Sequence, residues 1–248
     1  MNTDPVVMAE QTGKGGADMF EAGTPAGIDE GLTVRVDGAA AFSAGTVRAL
    51  GAVCDRAEDH AGPGVVVVQV TGAPEGAWTG ALDTPLVTKW ERVLRRLERL
   101  PMTTVAVAAG DVGGPALDAL LATDLRIAGP DVRLLVAGDG VATWPGMAVF
   151  RLVQQAGAAA IRSALLFGVP VEASRALGLG LLTEVADDPA AALTAAAGRF
   201  GGFSGSELAI RRRLMFDAAT MSFEDALGAH LAACDRALRQ LAEAGTAS

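Results

Sequence analysis

Thr103-Thr104-Val105-Ala106-Val107-Ala108-Ala109, then Gly110-Asp111-Val112-Gly113-Gly114-Pro115, then Ala116-Leu117-Asp118-Ala119-Leu120-Leu121-Ala122-Thr123-Asp124, is the stretch whose reading decides the fold. The first seven residues form a short apolar run of small and β-branched side chains, the pattern of a strand buried on both faces. The glycines and Pro115 make a turn, and proline is well tolerated in the first turn of a helix. A helix over 115–123 follows, with Asp118 in its first turn. Such a turn aims backbone N–H groups at one point, which can hold an oxyanion. Asp118 stands beside that point. An aspartate there is equally a structural choice, because the helix dipole stabilises it.

Working outward, strands and helices alternate. Leu32-Thr33-Val34-Arg35-Val36 alternates like a half-buried strand and stops at Asp37-Gly38. Ser43 reads as the N-cap of a helix to Asp59, with Val47, Leu50, Val53 and Cys54 on one face. Val65 to Val70 is a buried strand. Residues 85–100 form a helix with Leu86, Trp90, Val93, Leu94, Leu97 and Leu100 on one face. Lys89, Arg92, Arg95, Arg96 and Arg99 occupy the other. Short strands at Leu125–Ala128 and Arg133–Val136 precede helices at 147–157 and 158–167. This alternation describes an α/β domain. After Glu184-Val185 the chain is helical alone. Ser222 and Asp225 can form a capping pair, and Leu227, Leu231, Cys234, Leu238 and Leu241 step as one helical stripe. Residues 1–30 read as a flexible leader, 31–190 as the core and 191–248 as a C-terminal helical region.

The inventory narrows the chemistry. The 248 residues are 50% hydrophobic with 31 glycines, enough apolar material for a sizeable core. A net charge of −9 argues against nucleic-acid and anionic-membrane binding, which need basic surfaces. There are two histidines, two cysteines and no tyrosine. His60 falls at a polar helix end and His230 beside the C-terminal stripe, and neither has a triad or metal-ligand spacing. Cys54 and Cys234 read as small buried hydrophobes without a partner motif. Gly13-Lys14-Gly15-Gly16 lacks the frame of a phosphate loop, and Gly178-Leu179-Gly180 that of a dinucleotide fingerprint. No secretory signal or membrane span is visible, so a cytoplasmic setting is expected. Carboxylates and backbone amides remain.

Thr103–Ala109, Gly113-Gly114, Asp118, Thr123-Asp124, Trp144-Pro145-Gly146, Val171-Glu172-Ala173 and Leu177-Gly178-Leu179, in that order, resemble the crotonase superfamily of enoyl-CoA hydratases and isomerases. Three longer strings, 87–105, 113–124 and 142–148, resemble the DpgB branch, the hydratase-like component of 3,5-dihydroxyphenylacetyl-CoA formation in glycopeptide-antibiotic biosynthesis. The resemblance implies a crotonase-like spiral core with a C-terminal helical trimerisation region, assembled as a trimer or hexamer. It implies a hydratase or dehydratase acting on an acyl-CoA or polyketide thioester, with no cofactor beyond the coenzyme A of the substrate. A type III polyketide synthase and a second hydratase homologue are the implied partners.

That family holds a thioester enolate with two backbone N–H groups and moves protons with carboxylates. Carried across, the first amide falls on Thr79, in Ala77-Trp78-Thr79-Gly80, and the first carboxylate on Asp118. The second amide position falls on Pro115, which has no N–H to donate, so either Gly114 or Ala116 supplies it through a shifted turn or the hole has a single donor. The second carboxylate position falls on Gly138, with Asp139 adjacent. Asp118 and Asp139 are therefore the candidate catalytic pair and Thr79 and Gly114 the candidate oxyanion amides. Lys89 and Arg92 are candidates for the coenzyme A phosphates, the alternative being a solvated basic face. Arg211-Arg212-Arg213 invites the same two readings.

Overall fold

The computed structural model describes residues 28–76, 82–136 and 146–246. Thr79, Gly80, Gly138, Asp139, Trp144 and Pro145, and the leader through residue 27, lie outside the described residues.

The frame is a parallel sheet in the order β1 (Thr33–Asp37), β2 (Val65–Gly72), β3 (Thr103–Gly113), β4 (Leu125–Ala128), β7 (Glu184–Val185). Helices α1 (Ala44–Asp59), α2 (Thr84–Leu97) and α3 (Pro115–Leu121) make the first three crossovers. Local chemistry starts the first two. Ser43 Oγ accepts the Gly45 N–H and an Asp83 carboxylate oxygen accepts the Leu86 N–H, each satisfying a donor that a helix start leaves open. A 3-10 turn at Glu30–Leu32, capped by Asp29, leads into β1, so the strand begins one residue later than its alternation suggests.

β3 is longer than expected. The strand does not stop at Ala109: Gly110, at φ 60°, absorbs an irregularity, and Asp111, Val112 and Gly113 then pair with Arg133, Leu134 and Leu135 of β5 (Arg133–Leu135). Arg133 and Asp111 bridge at 2.7 Å on that register. β5 also pairs antiparallel with β6 (Val171–Glu172). One strand thus serves two neighbours at its far end, and its carboxyl end projects the Gly113-Gly114 turn.

The two sheet faces are covered differently. Val66, Val68, Val70, Ala106 and Ala108 face the larger core, shared with Leu50, Val53, Trp90, Leu94 and Leu117 of α1 to α3. Helices α4 (Ala148–Ala156), α5 (Ala158–Phe167) and α6 (Ala173–Gly178) extend this core through Leu152, Ile161 and Ala176. Val65, Val67, Val105, Val107 and Ile127 point the other way and meet Leu193 and Ala196 of α7 (Pro189–Phe200). The C-terminal helical region therefore closes the second face of the sheet before α8 (Ser206–Ala218) and α9 (Phe223–Thr246) continue.

α9 shows the expected start, with Ser222 Oγ accepting the Asp225 N–H at 3.2 Å. Its apolar stripe is uncovered in the single chain: Leu227, Leu231 and Leu238 are exposed, as is Cys234. This corrects the expectation for Cys234, which is exposed on a helix that packs against α8. Cys54 is buried as expected, and burial pushes its thiol up to about 11.

Candidate active site

The turn after β3 is shaped by glycine for two separate reasons. Gly114 sits at φ 54° and ψ −128°, a conformation that an L side chain does not tolerate. Gly113 is a matter of space: a Cβ there would lie 2.8 Å from the Ala73 Cβ and 3.1 Å from the Leu135 carbonyl oxygen. Gly38 packs just as closely, where a Cβ would come within 2.4 Å of the carbonyl oxygens of Gly72 and Gly113. The carboxyl ends of β1, β2 and β3 thus close up backbone to backbone. In sheets built of parallel strands, that is the end at which ligands bind.

Pro115 occupies the first turn of α3, and every residue of that helix is buried. The Asp118 N–H donates to the Gly114 carbonyl at 3.0 Å, so the carboxylate is placed one turn beyond the glycine. Gly114 and Asp118 therefore meet at one local element, as the sequence suggests. The Asp118 side chain has no solvent-exposed surface. Its Oδ2 accepts the indole N–H of Trp90, on α2, at 3.3 Å. The Phe42 and Trp90 rings meet in a T-shaped contact, with centroids 5.4 Å apart and planes at 71°. Sequence reasoning placed Trp90 on the apolar face of its helix without a polar role. The signal was present, because a buried indole N–H requires an acceptor.

Lys89 and Arg92 are both exposed on α2. Arg92 lines a surface groove of about 650 Å³ with Val87, Glu91, Arg95, Arg99 and Met147. The rest of the basic face is already engaged in part. Arg96 donates to both carboxylate oxygens of Glu58 and bridges Asp55 at 2.6 Å, and the Glu58 hydrogen bonds hold its guanidinium further toward the charged form. Arg95 reaches Glu98 at 2.6 Å.

Below it runs a buried ionic chain that sequence reasoning missed. Arg151 of α4 donates to Glu98 at 2.8 Å and to Glu91 at 3.0 Å, and Glu91 accepts the Met147 N–H at 2.9 Å. This chain ties the start of α4 to α2, the helix that carries Trp90.

Arg212 corrects another expectation. Of the run 211–213 it is the buried member, clamped to Asp124 and to the carbonyls of Leu100 and Met102, so it is not available to phosphates. His60 is half-buried, with Nε2 3.4 Å from the Pro63 carbonyl oxygen. Among the described residues no group of three His, Cys, Asp or Glu side chains could hold a metal, and no helix is long and apolar enough to cross a membrane.

The architecture matches solved structures. A crystal structure of an enoyl-CoA hydratase from Mycobacterium smegmatis superposes with a TM-score of 0.70 at 19% identity, covering 85% of this chain and 89% of that one. The fold is that of the crotonase class, an α/β core followed by C-terminal helices. No protein-family profile matches the chain. In sequence it is 56% identical over 209 residues to a protein of Amycolatopsis orientalis named enoyl-CoA-hydratase, across 84% of this chain and 96% of that one. It is 36% identical over 162 residues to a probable enoyl-CoA hydratase of Mycobacterium tuberculosis, across 60% of this chain and 62% of that one. The chain belongs to the enoyl-CoA hydratase family.

Proposed function

We propose that the protein is a hydratase or dehydratase acting on an acyl-CoA or polyketide thioester. The observation that carries the reading is Asp118 in the first turn after Gly113-Gly114, at the carboxyl end of the parallel strands. In the dehydration direction, the Asp118 carboxylate takes the α-proton of a β-hydroxyacyl thioester. The electron pair moves into an enolate whose oxygen is held by backbone N–H groups of Gly114 and Thr79. Collapse of the enolate expels the β-hydroxyl, which leaves as water with a proton returned by a carboxylic acid, either Asp118 itself or Asp139. Lys89 and Arg92 attract the coenzyme A phosphates.

Within that chemistry, the strings at 87–105, 113–124 and 142–148 support a role in the dehydration and aromatisation that yield 3,5-dihydroxyphenylacetyl-CoA in antibiotic biosynthesis, beside a type III polyketide synthase and a second hydratase homologue. The uncovered stripe of α9 supports assembly into a homotrimer or hexamer. A second reading rests on specific observations: Pro115 removes an amide from the turn and Asp118 is wholly buried. Both fit a catalytically weak accessory subunit that stimulates the synthase, and the missing second carboxylate at Gly138 fits a one-carboxylate isomerase or decarboxylase of the same fold.

The experiment supplies crotonyl-CoA to the pure protein, and separately the synthase with its tetraketide product. Hydration of crotonyl-CoA that is lost in Asp118→Ala supports the enzyme. Stimulation of the synthase that survives Asp118→Ala, without hydration, supports the accessory subunit.

A further inference from the structure

We propose that Trp90 is a positioning residue that assigns the two oxygens of Asp118 different roles, making Oδ1 the oxygen through which protons pass. This rests on the reading of Asp118 as the proton-handling carboxylate.

An indole offers only one kind of hydrogen bond. Its ring nitrogen only donates a hydrogen bond and never accepts one. Trp90 points that N–H at Oδ2, at 3.3 Å, with both side chains fully buried. A carboxylic O–H oxygen accepts a hydrogen bond far more weakly than the carbonyl oxygen beside it, so the indole N–H makes Oδ2 the carbonyl-like oxygen of the protonated acid. A proton taken up by Asp118 therefore sits on Oδ1 and leaves from Oδ1.

The indole is itself held. Trp90 lies midway along α2, in T-shaped contact with Phe42 and among the core residues that include Leu117. The neighbouring Glu91 is gripped by Arg151 and by the Met147 N–H, which fixes this part of α2 against α4. Donor and acceptor thus come from two separately anchored helices, α2 and α3. Once protonated, a carboxyl group free to rotate by 180° would turn its O–H toward Trp90 as readily as away from it, and half of its orientations would be unproductive. A fixed one stands ready, and alignment of this kind contributes to kcat rather than to substrate affinity.

The test is the Trp90→Phe variant assayed with crotonyl-CoA, beside Asp118→Asn and Leu94→Ala. Leu94 is a buried neighbour one turn along the same helix and reports what a packing loss alone does. Loss of a hydrogen bond to a charged group predicts a fall in kcat of about tenfold in Trp90→Phe, with KM within about twofold. Leu94→Ala loses stability but keeps kcat. If Trp90→Phe keeps full kcat while Asp118→Asn is inactive, or if Leu94→Ala loses as much kcat as Trp90→Phe, Trp90 is packing and the inference fails alone. If Asp118→Asn stays fully active, the inference falls together with the reading of Asp118.

A spectroscopic measurement does not depend on whether Trp90→Phe folds. The Trp90 indole N–H proton resonance, assigned by difference using Trp78→Phe and Trp144→Phe, should move upfield in Asp118→Asn, because a neutral amide is the weaker acceptor. A resonance that does not move contradicts the hydrogen bond itself and overturns the proposal.

Discussion

Arg212 and Asp124 are joined by two hydrogen bonds, Nε to Oδ1 at 2.9 Å and Nη2 to Oδ2 at 2.6 Å, between α8 and the turn into β4. Asp124 also accepts the Thr104 N–H and hydroxyl, both at 2.9 Å, so one carboxylate links the start of β3, the start of β4 and α8. The arginine is 3% exposed and donates to the Leu100 and Met102 carbonyls as well. Removing one member of a buried, hydrogen-bonded ion pair leaves the other uncompensated. Arg212→Leu should therefore lower unfolding stability by about 3 kcal/mol. Arg213→Leu, at an exposed position, should leave the urea midpoint nearly unchanged. Equal effects at the two positions would contradict the clamp.

The glycines divide in the same way. Gly114→Ala forces a side chain into φ 54°, and strain of this kind costs about 1–3 kcal/mol. Gly113→Ala drives a Cβ to 2.8 Å from Ala73 and should cost a similar amount. Both should also disturb the turn amide and lower kcat by about a hundredfold. Gly198→Ala in α7 meets nothing within 4 Å and should raise stability by up to about 1 kcal/mol through helix propensity. Thermal unfolding of the three variants separates structural glycine from compositional glycine.

The basic face of α2 makes a binding prediction. Lys89→Ala and Arg92→Ala should each raise KM for an acyl-CoA by about threefold to tenfold with kcat unchanged, the loss of one charge-assisted contact. Arg96 is committed to Glu58 and Asp55, so Arg96→Ala should leave KM alone. Steady-state kinetics at low and at high salt check this, since screening should shrink only the first two effects. An unchanged KM in both would assign the face to solvent.

The two cysteines should differ in reactivity and in their linkage to pH. The thiolate is the reactive form, and Cys54 is buried with its thiol raised from 9.0 to about 11. At pH 8 a thiol reagent should label exposed Cys234 quickly and Cys54 only on unfolding. Because the folded-state value is the higher one, the unfolded chain loses this proton first. Stability from Cys54 is thus complete below about pH 9 and lost as pH rises through 11. Urea midpoints from pH 8 to 10.5 should fall more steeply for the parent than for Cys54→Ala.

Much of this was legible in the chain because it is local. Ser43 as an N-cap, α1 ending at Asp59, β4 at Leu125–Ala128 and the Gly113-Gly114-Pro115 turn all follow from neighbouring residues. What escaped depends on distant ones. The extension of β3 past Gly110 needs β5, over twenty residues later, to pair with it. The role of Arg212 depends on Asp124, 88 residues away, and nothing within a run of three arginines marks which one enters the core. Trp90 and Asp118 are 28 residues apart on different helices, so their hydrogen bond has no sequence period. Cys234 misled for another reason: its stripe is helical and apolar, but a stripe does not specify what covers it.

The central claim is that Asp118 handles protons on a coenzyme A thioester, and single-turnover hydration of crotonyl-CoA by Asp118→Asn tests it most directly. The isosteric amide keeps an acceptor for Trp90 but can neither take nor give the proton, so the rate constant should fall by about 10²–10⁴ with thioester binding retained. A variant that binds the thioester and hydrates it at the parent rate would contradict the account and leave Asp118 as a buried structural carboxylate.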